Sequence, residues 1–115
     1  MIDEARLPNQ MELTAVTMAE LHQGVAMAAD AEMRARRTEQ LAAAIVDFEP
    51  LPFDGPAAAR YGSLVGLTLA AGRSPKPRRM DLMIAAIASA RGLPLFTRNG
   101  CDFRGLDSLV EIIEV

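Results

Sequence analysis

The sequence predicts a layered α/β fold in which helices cover a parallel sheet. Three observations support this prediction. The 115 residues are 50% apolar, which is enough for one small domain with a core. Proline and glycine punctuate the chain at short intervals, as they do between short elements. Apolar segments of strand length alternate with segments of helical periodicity, a pattern typical of parallel sheets.

The first elements are a short strand and a helix. Residues 12–16 are predicted to form the strand. Thr17 and Glu20 then have the spacing of a capping box, in which the threonine caps a helix and the glutamate reaches back to the cap. Apolar residues at helical spacing extend this helix to about Ala29.

Two longer helices are expected in the middle of the chain. Asp30 can cap a helix that extends to about Asp47. Residues 49–53 interleave two prolines and therefore favour a short edge strand. Asp54 can cap the next helix, which Gly72 ends.

The last third combines a basic loop with apolar elements. Residues 73–79 form the loop, and a helix is expected to start at residue 80 or 81 and to extend to Arg91. This helix is apolar nearly all round, which predicts burial on most sides. Residues 93–97 and 109–115 are predicted as strands, the first of them internal to the sheet.

Composition narrows the classes of function. One cysteine excludes a disulfide framework and a cysteine zinc cage, and one histidine excludes a histidine-rich metal site. No run approaches the roughly 20 apolar residues of a membrane span, and the acidic N-terminus lacks an apolar signal core. We therefore expect a cytoplasmic protein with no membrane association.

Charge is unevenly distributed. The net charge of the chain is -3, but residues 73–104 hold six arginines and one lysine against two aspartates, a net charge of +5. This basic third is either a surface for a polyanion or a solvated loop with helix-end charges, and the charge count alone favours neither.

Three carboxylates lie near strand ends or helix starts. In parallel sheets, ligands bind outside the carboxyl ends of the strands. Glu20, Asp81 and Asp102 would there require a cation, and oxygen ligands without histidine or cysteine favour magnesium or manganese, which suits phosphodiester cleavage. Each residue also has a structural interpretation: Glu20 in the capping box, Asp81 at a helix start and Asp102 in a turn.

Several motifs follow one another in a specific order. They are Thr14-Ala15-Val16-Thr17 with Ala19-Glu20-Leu21, Leu51-Pro52-Phe53-Asp54, Arg78-Arg79-Met80-Asp81-Leu82-Met83-Ile84-Ala85-Ala86-Ile87-Ala88, Gly92-Leu93-Pro94-Leu95, Thr97-Arg98-Asn99 and Asp102-Phe103. In this order and spacing they resemble a PIN domain of the VapC toxin type, from about residue 12 to the end of the chain.

The resemblance implies a single PIN-like domain over residues 1–115, with three α/β/α layers around a mainly parallel sheet. It implies a Mg²⁺-dependent endoribonuclease, with Mn²⁺ as the alternative metal, that is the toxin of a type II toxin–antitoxin pair. The implied partners are a VapB-type antitoxin, the RNA substrate and a second copy in a homodimer.

The resemblance also assigns site residues. Glu20 and Asp81 match metal-binding acids, and Asn99 stands where many members have a further acid, a position that Asp102 can fill. Thr97 matches a hydroxyl that holds the acidic cluster or its water. Arg78, Arg79 and Arg98 are the implied phosphate contacts.

The N-terminus departs from the family pattern. Members begin with an apolar strand ending in Asp-Thr or Asp-Ser, but only eleven residues precede Glu12 here. Residues 1–8 instead resemble the end of the helix that follows that strand. We therefore expect an N-terminally truncated domain that lacks the first strand and most of the first helix, either because the true start lies upstream of Met1 or because the domain is naturally truncated. The alternative function is a catalytically impaired remnant that binds an antitoxin or itself.

Overall fold

A computed structural model describes residues 14–47, 49–97 and 100–114. The described residues form two compact units. The first, which we call the helical unit, comprises the described residues up to Pro52, and the second, the sheet unit, comprises those from Phe53 onward. No helix within these ranges is long and apolar enough to cross a membrane.

The helical unit begins with helix α1, Ala15–Ala26. Thr14 caps it, because its Oγ1 accepts a hydrogen bond from the Thr17 amide at 3.0 Å. The strand predicted over residues 12–16 and the cap predicted at Thr17 are therefore wrong for the described residues: the helix starts two residues before Thr17. Thr14 forms only an isolated parallel bridge with Leu51, whose carbonyl accepts the Ala15 amide at 2.7 Å.

Helix α2, Ala31–Asp47, follows with the predicted cap and end. The Asp30 carboxylate accepts the Met33 amide at 2.7 Å. Arg37 on α2 donates to the carbonyl of Gly24 on α1 at 2.6 Å and so ties the two helices together. A charged donor makes such a bond stronger than a neutral one.

The sheet unit opens with helix α3, Gly55–Ala70, which Asp54 caps as predicted, through the Ala57 amide at 3.1 Å. Gly72 has a φ of +75°, a left-handed conformation suited to glycine just after a helix. A 3₁₀ turn, Lys76–Arg78, leads into helix α4, Arg79–Ala90, which starts one residue earlier than expected.

Helix α4 is the centre of the core, as its apolar sequence predicts. Small alanines on α4 let α3 approach closely, and Leu64 and Leu82 fill the space between elements with less than 2% of their surface exposed. Truncating either leucine to alanine should cost about 2–5 kcal/mol. The buried residues of this core are Leu64, Leu82, Ala85, Ala86, Ala88, Phe103, Leu106 and Val110.

Strands β1, Leu95–Thr97, and β2, Ile112–Glu114, pair in parallel. Both are shorter than the predicted 93–97 and 109–115. The Leu93 amide instead bonds the end of α4, at the Ala88 carbonyl, and the Leu109 carbonyl accepts a hydrogen bond from Ser89 at 2.6 Å. The described fold is thus α/β as predicted, mostly helical with a small parallel sheet. The three-layer arrangement stays a prediction.

Candidate metal and nucleic-acid site

The carboxyl ends of β1 and β2 lie side by side in the sheet unit. The parallel register pairs Thr97 with Glu114, the last residues of the two strands. The chain after β1 forms a 3₁₀ turn, Gly100–Phe103, which carries Asp102. Phe103 anchors this turn because its side chain is buried in the core.

Asp81 and Asp102, which we call the acid pair, interact across this region. Asp81 lies in the first turn of α4 and is partly buried. Burial raises the pKa of Asp81 above the usual aspartate value, and repulsion from the Asp102 carboxylate raises it further. The Arg78 guanidinium lowers the same pKa by a smaller effect. The fold thus holds two carboxylates close together with incomplete compensation of their charge.

The chemistry of this pair fits a hard divalent cation. Magnesium is commonly held by one or two carboxylates, with water and substrate phosphate as further ligands. Within residues 14–47, 49–97 and 100–114, no group of three or more His, Cys, Asp or Glu side chains is arranged to hold a metal. The acid pair is a set of two carboxylates, which is fewer than such a group requires.

The predicted basic residues have different surroundings. Arg78 Nη1 donates to the Ser74 carbonyl at 2.8 Å, and its Nε is buried with no hydrogen-bond partner among the described residues. Arg79 is exposed at the start of α4. Arg78 thus acts on the pKa of Asp81, whereas Arg79 is accessible to a ligand. Arg98 lies outside the described residues.

The remaining predicted site residues are placed as follows. Thr97 is half-buried at the end of β1, beside Glu114. Asn99 lies outside the described residues. Glu20 is exposed on α1 in the helical unit, past the first turn, so its predicted capping-box role is wrong. Its predicted role as a metal ligand stays a prediction.

Two residues near the acid pair were missed by the sequence reasoning. Arg73 Nη1 donates to the Cys101 carbonyl at 2.6 Å, and the Glu114 carboxylate accepts the Gly100 amide at 3.3 Å. Glu114 had one usable signal, its place near the carboxyl end of a predicted strand. Arg73 had none, since it is one of several basic residues in a loop.

Comparison with known proteins gives one consistent result. No protein-family model matches the chain. Ribonuclease VapC5 of Mycobacterium tuberculosis is 41% identical over 116 residues, which cover 99% of this chain and 83% of that protein. The crystal structure of VapBC-5, a member of the VapBC family of toxin–antitoxin systems from the same organism, matches with a TM-score of 0.88 and 42% identity, over 98% of this chain and 88% of that one. FitAcB from Neisseria gonorrhoeae matches with a TM-score of 0.74 and 31% identity, over 90% and 73% of the two chains.

Proposed function

The chain belongs to the VapC family of ribonucleases, and we propose that it cleaves RNA phosphodiester bonds with Mg²⁺ or Mn²⁺ as the toxin of a type II toxin–antitoxin pair. The observation that carries this proposal is the acid pair. Asp81 and Asp102 lie within the segment of net charge +5, so acids for a cation are flanked by bases for phosphate.

The acid pair is the metal-binding part of this proposal. Asp81 and Asp102 would hold a divalent ion, which would supply positive charge that lowers the pKa of a nearby water and offsets the charge developing on the phosphate. Burial first, and repulsion from Asp102 second, raise the pKa of Asp81, and a cation beside the two carboxylates would offset that repulsion.

Other residues position substrate and water. Arg79, exposed beside Asp81, binds an RNA phosphate, and Arg98 and Arg78 are further candidates for phosphate contact. Thr97 orients the water or the acids from the end of β1. The roles of Glu20 and Asn99 as additional ligands rest on the family resemblance alone.

The partner proposed for the chain is a VapB-type antitoxin. The matched structures include VapBC complexes from Mycobacterium tuberculosis and Salmonella typhimurium. We also propose a homodimer, as the family resemblance implies, and a cytoplasmic location, as the composition predicts.

The test uses the purified full chain, a labelled RNA pool and graded Mg²⁺ or Mn²⁺. Wild-type protein should cleave with either metal and not with EDTA. Asp81→Ala should lower cleavage at least 100-fold, whereas Asp107→Ala, an exposed aspartate of the same unit, should leave cleavage unchanged. Wild-type protein that cleaves no RNA at any metal concentration, or equal cleavage by Asp81→Ala, contradicts the proposal.

A further inference from the structure

The Gly100–Phe103 turn, which carries Asp102, is held by contacts to two distant segments. One segment is the loop after α3 and the other is the end of β2. Both contacts are made to the backbone of residues just before Asp102, and neither uses the Asp102 carboxylate. The two contacts therefore fix the backbone of the turn and do not engage the Asp102 carboxylate.

The contact from the α3 side comes from Arg73. Its own backbone is fixed, since its amide donates to the Thr68 carbonyl at 3.0 Å, and its Nη1 donates to the Cys101 carbonyl at 2.6 Å. A second close contact, between Gly105 and Ala71, also joins the loop after α3 to this segment. Gly105 has a φ of +88°, and a Cβ there would lie 3.3 Å from the Cβ of Ala71. The loop after α3 thus contacts the segment on both sides of Asp102.

The contact from the sheet side comes from Glu114. The parallel register places it beside Thr97. Its Oε1 accepts the Gly100 amide at 3.3 Å, and a Cβ on Gly100 would lie 3.2 Å from the Glu114 Cδ. The glutamate therefore packs against the start of the turn, where the absence of a side chain gives it room.

We infer that Arg73 and Glu114 are positioning residues, whose contacts to Cys101 and Gly100 hold the Gly100–Phe103 turn and so keep Asp102 in place to share a cation with Asp81. The inference rests on the proposed function. The two carboxylates repel each other, so without these contacts the turn would move Asp102 away from Asp81. Outer contacts of this kind usually change metal affinity or activity 10–100-fold when removed.

The first experiment changes Arg73 in the full chain. Arg73→Met should weaken Mn²⁺ binding, measured by water-proton relaxation, about 10-fold and should lower kcat on RNA about 10–100-fold, with KM changed less than about twofold. Arg73→Lys, which keeps a charged donor, should recover part of both losses. Arg36→Met removes an equal charge from an exposed position in the helical unit and is the matched control.

The Arg73 results separate positioning from other roles. A raised KM with unchanged kcat and unchanged Mn²⁺ affinity means that Arg73 contacts phosphate, which overturns the inference. Losses that only follow the folded fraction, measured by circular dichroism, overturn it as well. Equal Mn²⁺ affinity and equal kcat in Arg73→Met and Arg36→Met would also overturn the inference.

The second experiment changes Glu114. Glu114→Ala removes the acceptor and should weaken Mn²⁺ binding about 3–10-fold, whereas Glu114→Gln keeps an acceptor oxygen and should bind close to wild type. Glu111→Ala, an exposed acid of the same segment, is the charge control. Equal losses in Glu114→Ala and Glu114→Gln indicate that the negative charge itself acts, which overturns a purely positioning role.

Amide hydrogen exchange separates this inference from the proposed function. Exchange at Gly100 and Asp102 should accelerate at least about 10-fold in Arg73→Met, since local opening of the turn becomes easier. Wild-type protein that neither binds Mn²⁺ nor cleaves RNA refutes the proposed function, and the exchange rates alone then decide the inference. Unchanged exchange in that case overturns it.

Discussion

Polar groups are paired at the C-terminal end of helix α4, whereas at its N-terminal end like charges lie near each other. At its C-terminal end, the buried Ser89 hydroxyl donates to the Leu109 carbonyl at 2.6 Å, and Arg91 pairs with the opposite charge of Asp54 at 3.6 Å. At its N-terminal end, Asp81 is repelled by Asp102. The polar groups at the C-terminal end have partners of complementary charge or hydrogen-bonding character, whereas the N-terminal end holds two like charges that repel each other.

This difference is consistent with the proposed site at the N-terminal end of α4. Buried polar groups that serve only stability are paired, because an unpaired one costs about 1–3 kcal/mol. Like charges held together lower stability and are expected at functional sites. The contrast within one helix therefore supports placing the functional site at the N-terminal end of α4. Three predictions test the comparison, beginning with the largest expected change in stability.

At the C-terminal end of α4, loss of the Ser89 hydroxyl should lower the stability of the fold strongly. Ser89→Ala removes a buried hydroxyl and leaves the carbonyl of half-buried Leu109 without this donor, so we expect about 1–3 kcal/mol of destabilisation. For a chain of this size, that corresponds to a Tm lowered by about 4–20 °C in calorimetry. Ser63→Ala, at an exposed site on α3 where the hydroxyl bonds weakly at 3.4 Å, should lower Tm far less. An equal effect of both variants would contradict the contrast.

At the N-terminal end of α4, removing the charge of Asp81 should raise stability rather than lower it. Because the folded pKa of Asp81 is raised, its contribution to stability is fully present below the ordinary aspartate pKa, near 3.9, and is lost as pH rises through the folded value. Asp81→Asn removes this loss, so at pH 7 without divalent metal its Tm should exceed that of wild type.

The pH dependence supplies the control for Asp81→Asn. As pH falls below the ordinary aspartate pKa, Asp81 becomes progressively protonated in the folded and the unfolded chain alike, so the difference in Tm should shrink. Differential scanning calorimetry at pH 3.5 and pH 7 measures both values. A variant less stable than wild type at pH 7 would show that the Asp81 charge is favourable in the fold and would break the comparison.

The surface pair should change stability least. The Arg91–Asp54 bridge is partly exposed on both sides, and such pairs contribute about 0–1 kcal/mol. Arg91→Ala should therefore lower Tm by a few degrees at most, with a smaller change at high salt. Because Asp54 also caps α3, Asp54→Ala should cost more than Arg91→Ala. The reverse order would mean that the bridge, rather than the cap, stabilises this end.

Local chemistry explains which elements the sequence predicted well. The aspartate caps of α2 and α3 and the glycine end of α3 depend on interactions within a few residues. The burial of α4 depends on an apolar sequence that no solvated helix tolerates. Asp81 was found because it opens that helix within a basic segment.

The errors in the cap of α1 and in the strand lengths arose where two local conformations have similar energies. Thr14 and Thr17 can both cap a helix, and the Leu51 carbonyl selects Thr14 by bonding the Ala15 amide. Strand length was overestimated because the bond from Ser89 engages the Leu109 carbonyl, twenty residues away. In both cases a contact distant in sequence decided between conformations of similar local energy.

The sequence by itself determined the helices, the apolar core and the family, because caps, periodicity and motif order are properties of neighbouring residues. Only the tertiary structure decided that the charge of Asp102 acts on Asp81, and that Arg73 and Glu114 contact the Gly100–Phe103 turn. These contacts join residues 14 to 28 positions apart. Their geometry depends on the packing of α3, α4 and the sheet, which no local pattern specifies.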